Sequence, residues 1–158
     1  MTELTQPAIF VDADSCPVKN EIAHISMEFR LHVVFVASYA HKTAESQYGK
    51  WIYVDPDKES ADLYILNHVR KYDVVVTQDI GLASMLLPKR VYSISPRGRE
   101  YKEDMIATAL DLRYLSAKAR RQGKYDKGPK AFKTEDRKAF TKKFAEILSK
   151  IVSGERNI

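Results

Sequence analysis

The sequence predicts a three-layer α/β/α fold of the Rossmann-like type, with a mainly parallel sheet of about five strands and additional C-terminal helices. Short runs of β-branched and aromatic residues alternate with longer segments whose apolar residues recur every three or four positions. That alternation is typical of a parallel sheet with a helix layer on each face. One run, Val74–Val76, is three consecutive valines, which indicates a strand covered on both faces.

Five segments are predicted as strands because each is short and apolar. The first is bounded by Pro7 and by an acidic turn, and the second is rich in β-branched residues. The strands are predicted at residues 8–11, 31–37, 51–54, 73–77 and 91–95. Residues 38–49 show no clear period, so a polar loop or broken helix is expected there.

Amphipathic segments between the strands are predicted as helices. Pro17 suits a first helical position, and Ser60 is a natural N-cap for the next helix. Pro88 is expected to stop the third helix, and Thr134 to cap an amphipathic final one. The helices are predicted at residues 17–30, 60–71, 80–87, 102–122 and 134–152.

Length and composition predict a single domain spanning residues 1–158, with a core of ordinary apolar content. The one cysteine, Cys16, excludes an intramolecular disulfide and a multi-cysteine zinc site. No basic patch followed by an apolar core is visible at the N-terminus, and the longest strongly apolar run, Val33–Ala37, is too short to span a bilayer. We therefore expect a cytoplasmic protein that does not enter a membrane.

Positive charge is concentrated near the C-terminus. Residues 117–150 carry twelve Lys and Arg against four acids, a net charge of +8, so the other residues together carry −3 of the chain's +5. An acidic body with a basic segment suits a polyanionic partner held near a metal centre. Arg120 and Arg121 in this segment are candidate substrate-binding residues.

Four aspartates are the candidate metal ligands and catalytic residues. They leave predicted strands or begin a predicted helix at the carboxyl edge of the sheet, where such folds bind their ligands. They are Asp12, Asp14, Asp62 and Asp79. Clustered carboxylates repel one another unless a cation offsets their charge, and hard cations such as Mg²⁺ and Mn²⁺ prefer oxygen ligands. The sequence therefore predicts a Mg²⁺ or Mn²⁺ site here.

Basic residues at the same edge are the candidate phosphate ligands. Arg97 and Arg99 follow the fifth predicted strand, where guanidinium groups would bind a phosphate in bidentate fashion. Lys19 lies at the start of the first helix. Downstream, Tyr125 and Phe132 lie among basic residues, an arrangement that suits stacking on unpaired bases.

Five motifs resemble the YaiI/YqxD family of uncharacterised bacterial proteins over most of the chain. They are DADSCPVK (12–19), ESADLYI (59–65), VVTQDIGLA (75–83), SPRGREY (95–101) and GPKAFKTEDRKAF (128–140). That family is in turn similar to the PIN-domain nucleases, α/β/α folds whose clustered acids bind Mg²⁺ or Mn²⁺ and cut RNA. The resemblance implies that Asp12 and Asp79 match the acids after the first and fourth strands, with Asp62 as the middle acid. Asp14 belongs to the DAD motif of the YaiI/YqxD family itself.

The leading functional hypothesis is a divalent-metal-dependent nuclease that acts on nucleic acid, with RNA as the expected partner. One alternative is a metal-dependent phosphatase for small phosphoesters, because the DAD motif resembles that of haloacid dehalogenase phosphatases. Cys16 stands where those enzymes usually have another residue, which weakens this alternative. The other alternative is a non-catalytic nucleic-acid-binding module that retains the acidic pocket.

Overall fold

The structure, a computed structural model, describes residues 6–39, 48–57, 59–123 and 130–155. The strands are β1 (Ile9–Asp12), β2 (Val33–Ser38), β3 (Lys50–Val54), β4 (Val74–Val76) and β5 (Tyr92–Ile94). The helices are α1 (Lys19–Glu28), α2 (Ser60–His68), α3 (Ile80–Leu86), α4 (Glu103–Arg121) and α5 (Thr134–Val152). The described strands lie in the order β3-β2-β1-β4-β5, and every pairing is parallel. The predicted α/β/α class is therefore confirmed.

Both faces of the sheet are buried, and the alternation of side chains along each strand decides which helices a residue meets. One face packs against α1 and α5 through Ile9, Val11, Phe35, Val74, Val76, Phe140, Phe144 and Leu148. The opposite face packs against α2 and α3 through Phe10, Val36, Val75, Ile65, Leu82 and Leu86. Helix α4 packs outside α3, where Ile106 contacts Ala83 and Tyr101. Alternate residues of β1 thus face different helix layers.

Two predicted N-caps are wrong for the same reason. Ser60 and Thr134 are the first residues of α2 and α5, not their caps. Asp57 Oδ1 instead accepts hydrogen bonds from the backbone N–H of Ser60 at 2.8 Å and from its neighbour at 3.0 Å. In α5, the Asp136 carboxylate accepts a hydrogen bond from the Lys133 N–H at 2.9 Å. At each helix start a carboxylate nearby in sequence accepts a hydrogen bond from a backbone N–H group, so a hydroxyl side chain is not needed as the N-cap.

Two prolines also take positions other than those predicted. Pro17 precedes α1, which begins at Lys19 after a turn in which Cys16 N–H donates to the Ala13 carbonyl at 3.3 Å. Pro88 does not end the helical path, because it lies inside a short 3₁₀ helix at Leu87–Lys89. Proline fits the first turn of a helix, where no backbone donor is required.

Parts of two predicted loops lie outside the described residues, namely 40–47 in the loop before β3 and 124–129 in the basic loop after α4. Within the ranges that are described, no helix is long and apolar enough to cross a membrane.

The turn after β5 packs tightly on the backbone of α5. Gly98 has φ +87°, and a Cβ atom there would lie 2.5 Å from the Ala139 carbonyl carbon and 2.7 Å from the Phe140 nitrogen. Both are backbone atoms of a helix, which cannot move aside cheaply. Glycine is therefore required at this position for its backbone conformation and for the absence of a side chain.

We predict that Gly98→Ala lowers the free energy of unfolding by about 3 kcal/mol, because it adds a steric clash to the cost of a left-handed backbone. Gly154→Ala is the matched control, since Gly154 has φ +88° but nothing within 4 Å of the added Cβ. The control is expected to lose about 1 kcal/mol. Urea unfolding of both variants measures the difference, and equal losses would contradict the packing of this turn on α5.

Candidate functional site

Asp12 ends β1 on the face of the sheet that meets α2 and α3. It is two residues after Phe10, which packs on that same face, so its carboxylate emerges toward the starts of these helices. Thr77, directly after β4, donates a hydrogen bond from Oγ1 to Asp12 Oδ2 at 3.0 Å. The parallel pairing of β1 with β4 thus positions this carboxylate.

Asp79 is the N-cap of α3. Its Oδ1 accepts hydrogen bonds from Gly81 N–H at 2.8 Å and from Leu82 N–H at 3.2 Å. Its own backbone N–H donates to Thr77 Oγ1 at 3.0 Å, so one threonine hydroxyl contacts both Asp12 and Asp79. The two acids are therefore held at fixed positions on neighbouring strand ends.

Asp62, the third residue of α2, completes what we call the acid cluster of Asp12, Asp62 and Asp79. Burial raises the pKa of Asp62 to about 6, and the negative charges of Asp79 and Asp12 add to that rise. Burial likewise raises the pKa of Asp12, against the Thr77 hydrogen bond that lowers it. The structure brings these three predicted residues together, and the charge of Asp79 contributes to the raised pKa of both Asp62 and Asp12.

Asp14 lies beside the acid cluster and is exposed. Its Oδ1 accepts a hydrogen bond from the Ser38 N–H at 2.9 Å, which connects the turn after β1 to the end of β2. The charge of Asp14 also helps to raise the pKa of Asp12. Asp14 therefore belongs to the same electrostatic neighbourhood.

The donor set of the acid cluster suits a hard cation, because it consists of carboxylate oxygens alone. Among the residues that the structure describes, no three His, Cys, Asp or Glu side chains are already grouped to hold a metal ion. Asp12 Oδ2 and Asp79 Oδ1 have the hydrogen bonds described above. A cation would therefore have to draw the carboxylates closer together as it binds.

The structure gives the predicted phosphate ligands different environments. Lys19 Nζ donates to the Ala13 carbonyl at 3.2 Å, so its ammonium lies against the turn that carries Asp14. Arg99 is exposed and affects the pKa of Tyr101, which burial and the charge of Asp79 raise to about 12. Both basic groups are thus on the carboxyl edge of the sheet.

Arg97 is engaged within the protein. Its Nη1 donates to Asp136 Oδ2 at 2.9 Å, its Nη2 donates to the Lys130 carbonyl, and its guanidinium lies over the Phe132 ring. Arg137 lies over the same ring at 5.2 Å. Phe132 is therefore enclosed by two arginines, and a base that stacked on it would have to displace them.

Arg120 and Arg121 lie in the last turn of α4 and are exposed. Arg113, about 11 Å earlier along the helix axis, was not predicted as a site residue. A methyl group at Gly81 would lie 3.9 Å from Arg113 Nη1 and 3.0 Å from Asp79 Oδ1. Arg113 therefore brings a guanidinium to the α3 N-terminus beside the acid cluster. The only signal in the sequence is its spacing, seven residues after Ile106 and so on the same side of α4, although Arg113 itself is exposed.

A cavity of about 350 Å³ opens at the same edge, beyond the ends of β1, β4 and β5. Its lining includes Ser15, Gln78, Arg97 and Phe132. Gln78 Nε2 donates to the Ser15 carbonyl at 2.7 Å, which joins the turn after β1 to the turn after β4. The acid cluster is thus flanked by a concave surface that carries both polar and apolar side chains.

Comparison with known proteins gives a family but no activity. A family model described as "Uncharacterized BCR, YaiI/YqxD family" matches residues 10–150. A UPF0178 protein of Bacillus cytotoxicus is 50% identical over 141 residues, which cover 89% of this chain and 92% of the relative. One of Bacillus velezensis is 51% identical over 154 residues (97% and 89%), and one of Listeria innocua is 52% identical over 134 residues (85% and 92%). No solved structure matches the chain.

The raised pKa of Asp62 predicts that the acid cluster lowers the free energy of unfolding at neutral pH. Folding raises this pKa from 3.8 to about 6. The protonated side chain of Asp62 therefore contributes fully to stability below about pH 4, and this contribution is lost as the pH rises through 6. Asp62→Asn cannot ionise and should gain about 1 kcal/mol over the wild type above about pH 7, after allowance for solvent screening. The gain should disappear toward pH 4.

Urea unfolding in EDTA at both pH values measures this difference. Asp111→Asn is the control, because Asp111 is an exposed helical aspartate that takes no part in the acid cluster. A gain for Asp62→Asn that is the same at both pH values would contradict the repulsion described here.

Proposed function

The chain belongs to the YaiI/YqxD family, and we propose that it is a divalent-metal-dependent phosphodiester hydrolase that cuts RNA. The observation that carries the proposal is the acid cluster, in which three carboxylates from β1, α2 and the start of α3 share one edge of the sheet. Keeping like charges together costs stability unless a cation or a reaction uses them.

The residues of the acid cluster would hold the cation and keep its ligands oriented. A bound Mg²⁺ or Mn²⁺ lowers the pKa of a coordinated water and offsets charge on the phosphodiester. Thr77 positions the carboxylate of Asp12, and the α3 N-terminus positions that of Asp79. The pKa of Asp62, raised by burial and by the neighbouring carboxylates to about 6, suits it to accept or return a proton near neutral pH.

Basic groups around the acid cluster would bind the phosphates of the substrate. Arg113 lies beside Asp79, and Lys19 lies beside the turn that carries Asp14. Arg99 adds a third positive charge at this edge, and the exposed Arg120 and Arg121 extend the basic surface along α4. A row of cations that leads to an acidic centre suits a polyanion longer than a single phosphoester.

The resemblance of the motifs to PIN-domain nucleases supports the same proposal. In those proteins the acids after the first and fourth strands bind the metal, and Asp12 and Asp79 occupy these places here. The strand order, with β1 between β2 and β4, puts both acids at the point where the direction of chain crossover reverses.

We predict that the purified protein degrades single-stranded RNA with Mn²⁺ or Mg²⁺ and that Asp12→Asn and Asp79→Asn each reduce the rate about 100-fold or more. Asparagine keeps a hydrogen-bond acceptor for Thr77 at position 12 and remains a good N-cap at position 79. The loss would therefore reflect charge and metal affinity. Cleavage of labelled RNA measures the rate, and calorimetry measures Mn²⁺ binding.

Asp111→Asn is again the control, because it removes an equal charge from the side of α4 opposite Arg113. Activity that persists in Asp12→Asn and Asp79→Asn would overturn the proposal. Salt-dependent RNA binding without turnover in either metal would identify a binding module instead. Turnover of a small phosphoester but not of RNA would identify a phosphatase.

A second prediction concerns Arg113. Removing its charge with Arg113→Gln should raise KM for RNA about tenfold, because a charge-assisted contact to phosphate is lost. Arg113→Lys keeps the charge, and its KM should lie between those of the wild type and Arg113→Gln. Lys142→Gln removes an exposed charge from α5, on the other face of the sheet, and should leave KM unchanged. Steady-state cleavage kinetics provide the test, and equal KM values for Arg113→Gln and the wild type would exclude this role.

A further inference from the structure

A row of aromatic rings crosses the β2–β3 edge of the sheet. Phe35 pairs with Trp51, and two residues later Ala37 pairs with Tyr53, so these side chains share one face of the sheet. The Phe35 and Trp51 ring centroids are 4.7 Å apart with planes 16° apart, and those of Trp51 and Tyr53 are 6.2 Å and 24° apart. Tyr39, just after β2, continues the row at 6.3 Å and 20° from Tyr53.

The row leads from the core to the surface. Phe35 is completely buried, Trp51 and Tyr53 are half-buried, and Tyr39 is 62% exposed. Tyr39 and Tyr53 thus form a stacked pair with nearly parallel rings in which Tyr39 is the more exposed member; we call this pair the tyrosine ledge. A planar aromatic surface of this kind suits a flat ligand that stacks on it.

The tyrosine ledge lies at the same carboxyl edge of the sheet as the acid cluster, but on the face that packs against α1 and α5. Tyr39 directly follows Ser38, whose N–H donates to Asp14 Oδ1 at 2.9 Å. Lys19 donates to the Ala13 carbonyl in the same turn, so a positive charge lies against the turn that carries Asp14. A nucleic-acid strand with a phosphate at the acid cluster would reach the ledge by crossing the carboxyl ends of β1 and β2, past Asp14.

We propose that the tyrosine ledge binds an unpaired nucleobase and so selects single-stranded nucleic acid, an inference that rests on the proposed function. The exposed ring face offers stacking that every base can use, worth about 1–3 kcal/mol per base. A base within a duplex has both faces covered by its neighbours and cannot stack on the ledge. Of the two stacking groups foreseen in the basic segment, Phe132 already has Arg97 and Arg137 over its ring, and Tyr125 lies outside the described residues.

The protein carries its own probe for this binding. Trp51 is the single tryptophan of the chain and lies in the aromatic row, so stacking of a base on Tyr39 should change its fluorescence. We would titrate the full chain, in EDTA to prevent turnover, with a single-stranded adenylate RNA decamer. An abasic decamer of equal charge, the matching DNA decamer and an RNA duplex complete the set of ligands.

Tyr39→Phe keeps the ring, whereas Tyr39→Leu keeps an apolar side chain but removes the ring face. We expect Tyr39→Phe to bind the RNA decamer within twofold of the wild type and Tyr39→Leu to bind it about 10-fold or more weakly. Tyr114→Leu is the matched control, because Tyr114 is also 62% exposed but lies on α4. The abasic decamer and the duplex should bind with lower affinity than the single strand and leave the fluorescence unchanged.

If Tyr39→Leu binds the RNA decamer with wild-type affinity, or if the abasic decamer binds equally well, the proposal that the ledge binds a base is wrong. If RNA cleavage is observed in the same preparation, the proposed function survives that result. Conversely, ledge-dependent binding without cleavage in Mn²⁺ would contradict the proposed hydrolase activity and support base binding by the ledge. The DNA decamer distinguishes a general single-strand ledge from one selective for RNA.

Discussion

β1 pairs in parallel with β2 on one side and with β4 on the other, and this central position governs the site. Parallel pairing with β4 brings together residues that are 65 positions apart in the chain, so that the Thr77 hydroxyl reaches the Asp12 carboxylate. The same hydroxyl accepts the backbone N–H of Asp79 and fixes the start of α3. Side-chain alternation then sends Asp12 toward α2, where Asp62 is the third residue. One strand pairing therefore assembles three carboxylates from separate motifs.

Other acids of the chain show what a purely structural carboxylate looks like. Asp73, almost completely buried, accepts hydrogen bonds from the backbone N–H groups of Ala8 at 2.9 Å and Arg70 at 2.8 Å. Asp57 accepts hydrogen bonds at the start of α2, and its pKa is lowered. Burial also raises the pKa of Asp73, but two backbone N–H groups oppose that rise, whereas for Asp62 the charges of Asp79 and Asp12 add to it. The position of Asp62 costs stability, and such a cost is typical of residues kept for binding or catalysis.

The sequence predicted the fold and the acid positions because both follow from local patterns. Three consecutive valines can be recognised without knowledge of tertiary contacts, and so can acids placed directly after strands or in a first helical turn. The helix caps were wrong because Asp57 and Asp136, rather than the hydroxyl residues, supply the acceptors. Contacts between distant segments were also invisible: Arg97 binds Asp136, which is 39 residues away. Arg113 was missed since its importance depends on α4 packing outside α3, and helical periodicity alone does not reveal that packing.

The recognisable motifs of the chain therefore divide by physical role. Gly98 of the SPRGREY motif packs on the backbone of α5, and Arg97 and Arg137 enclose Phe132, so that motif and the GPKAFKTEDRKAF run contribute largely to architecture. The motifs that contain Asp12, Asp62 and Asp79 instead place three carboxylates close together, although Asp79 also caps α3. Family resemblance over residues 10–150 thus covers both the packing of α5 and the acid cluster, and the proposed function concerns the second. This separation is the physical reason to look for function at the carboxyl edge of β1 and β4.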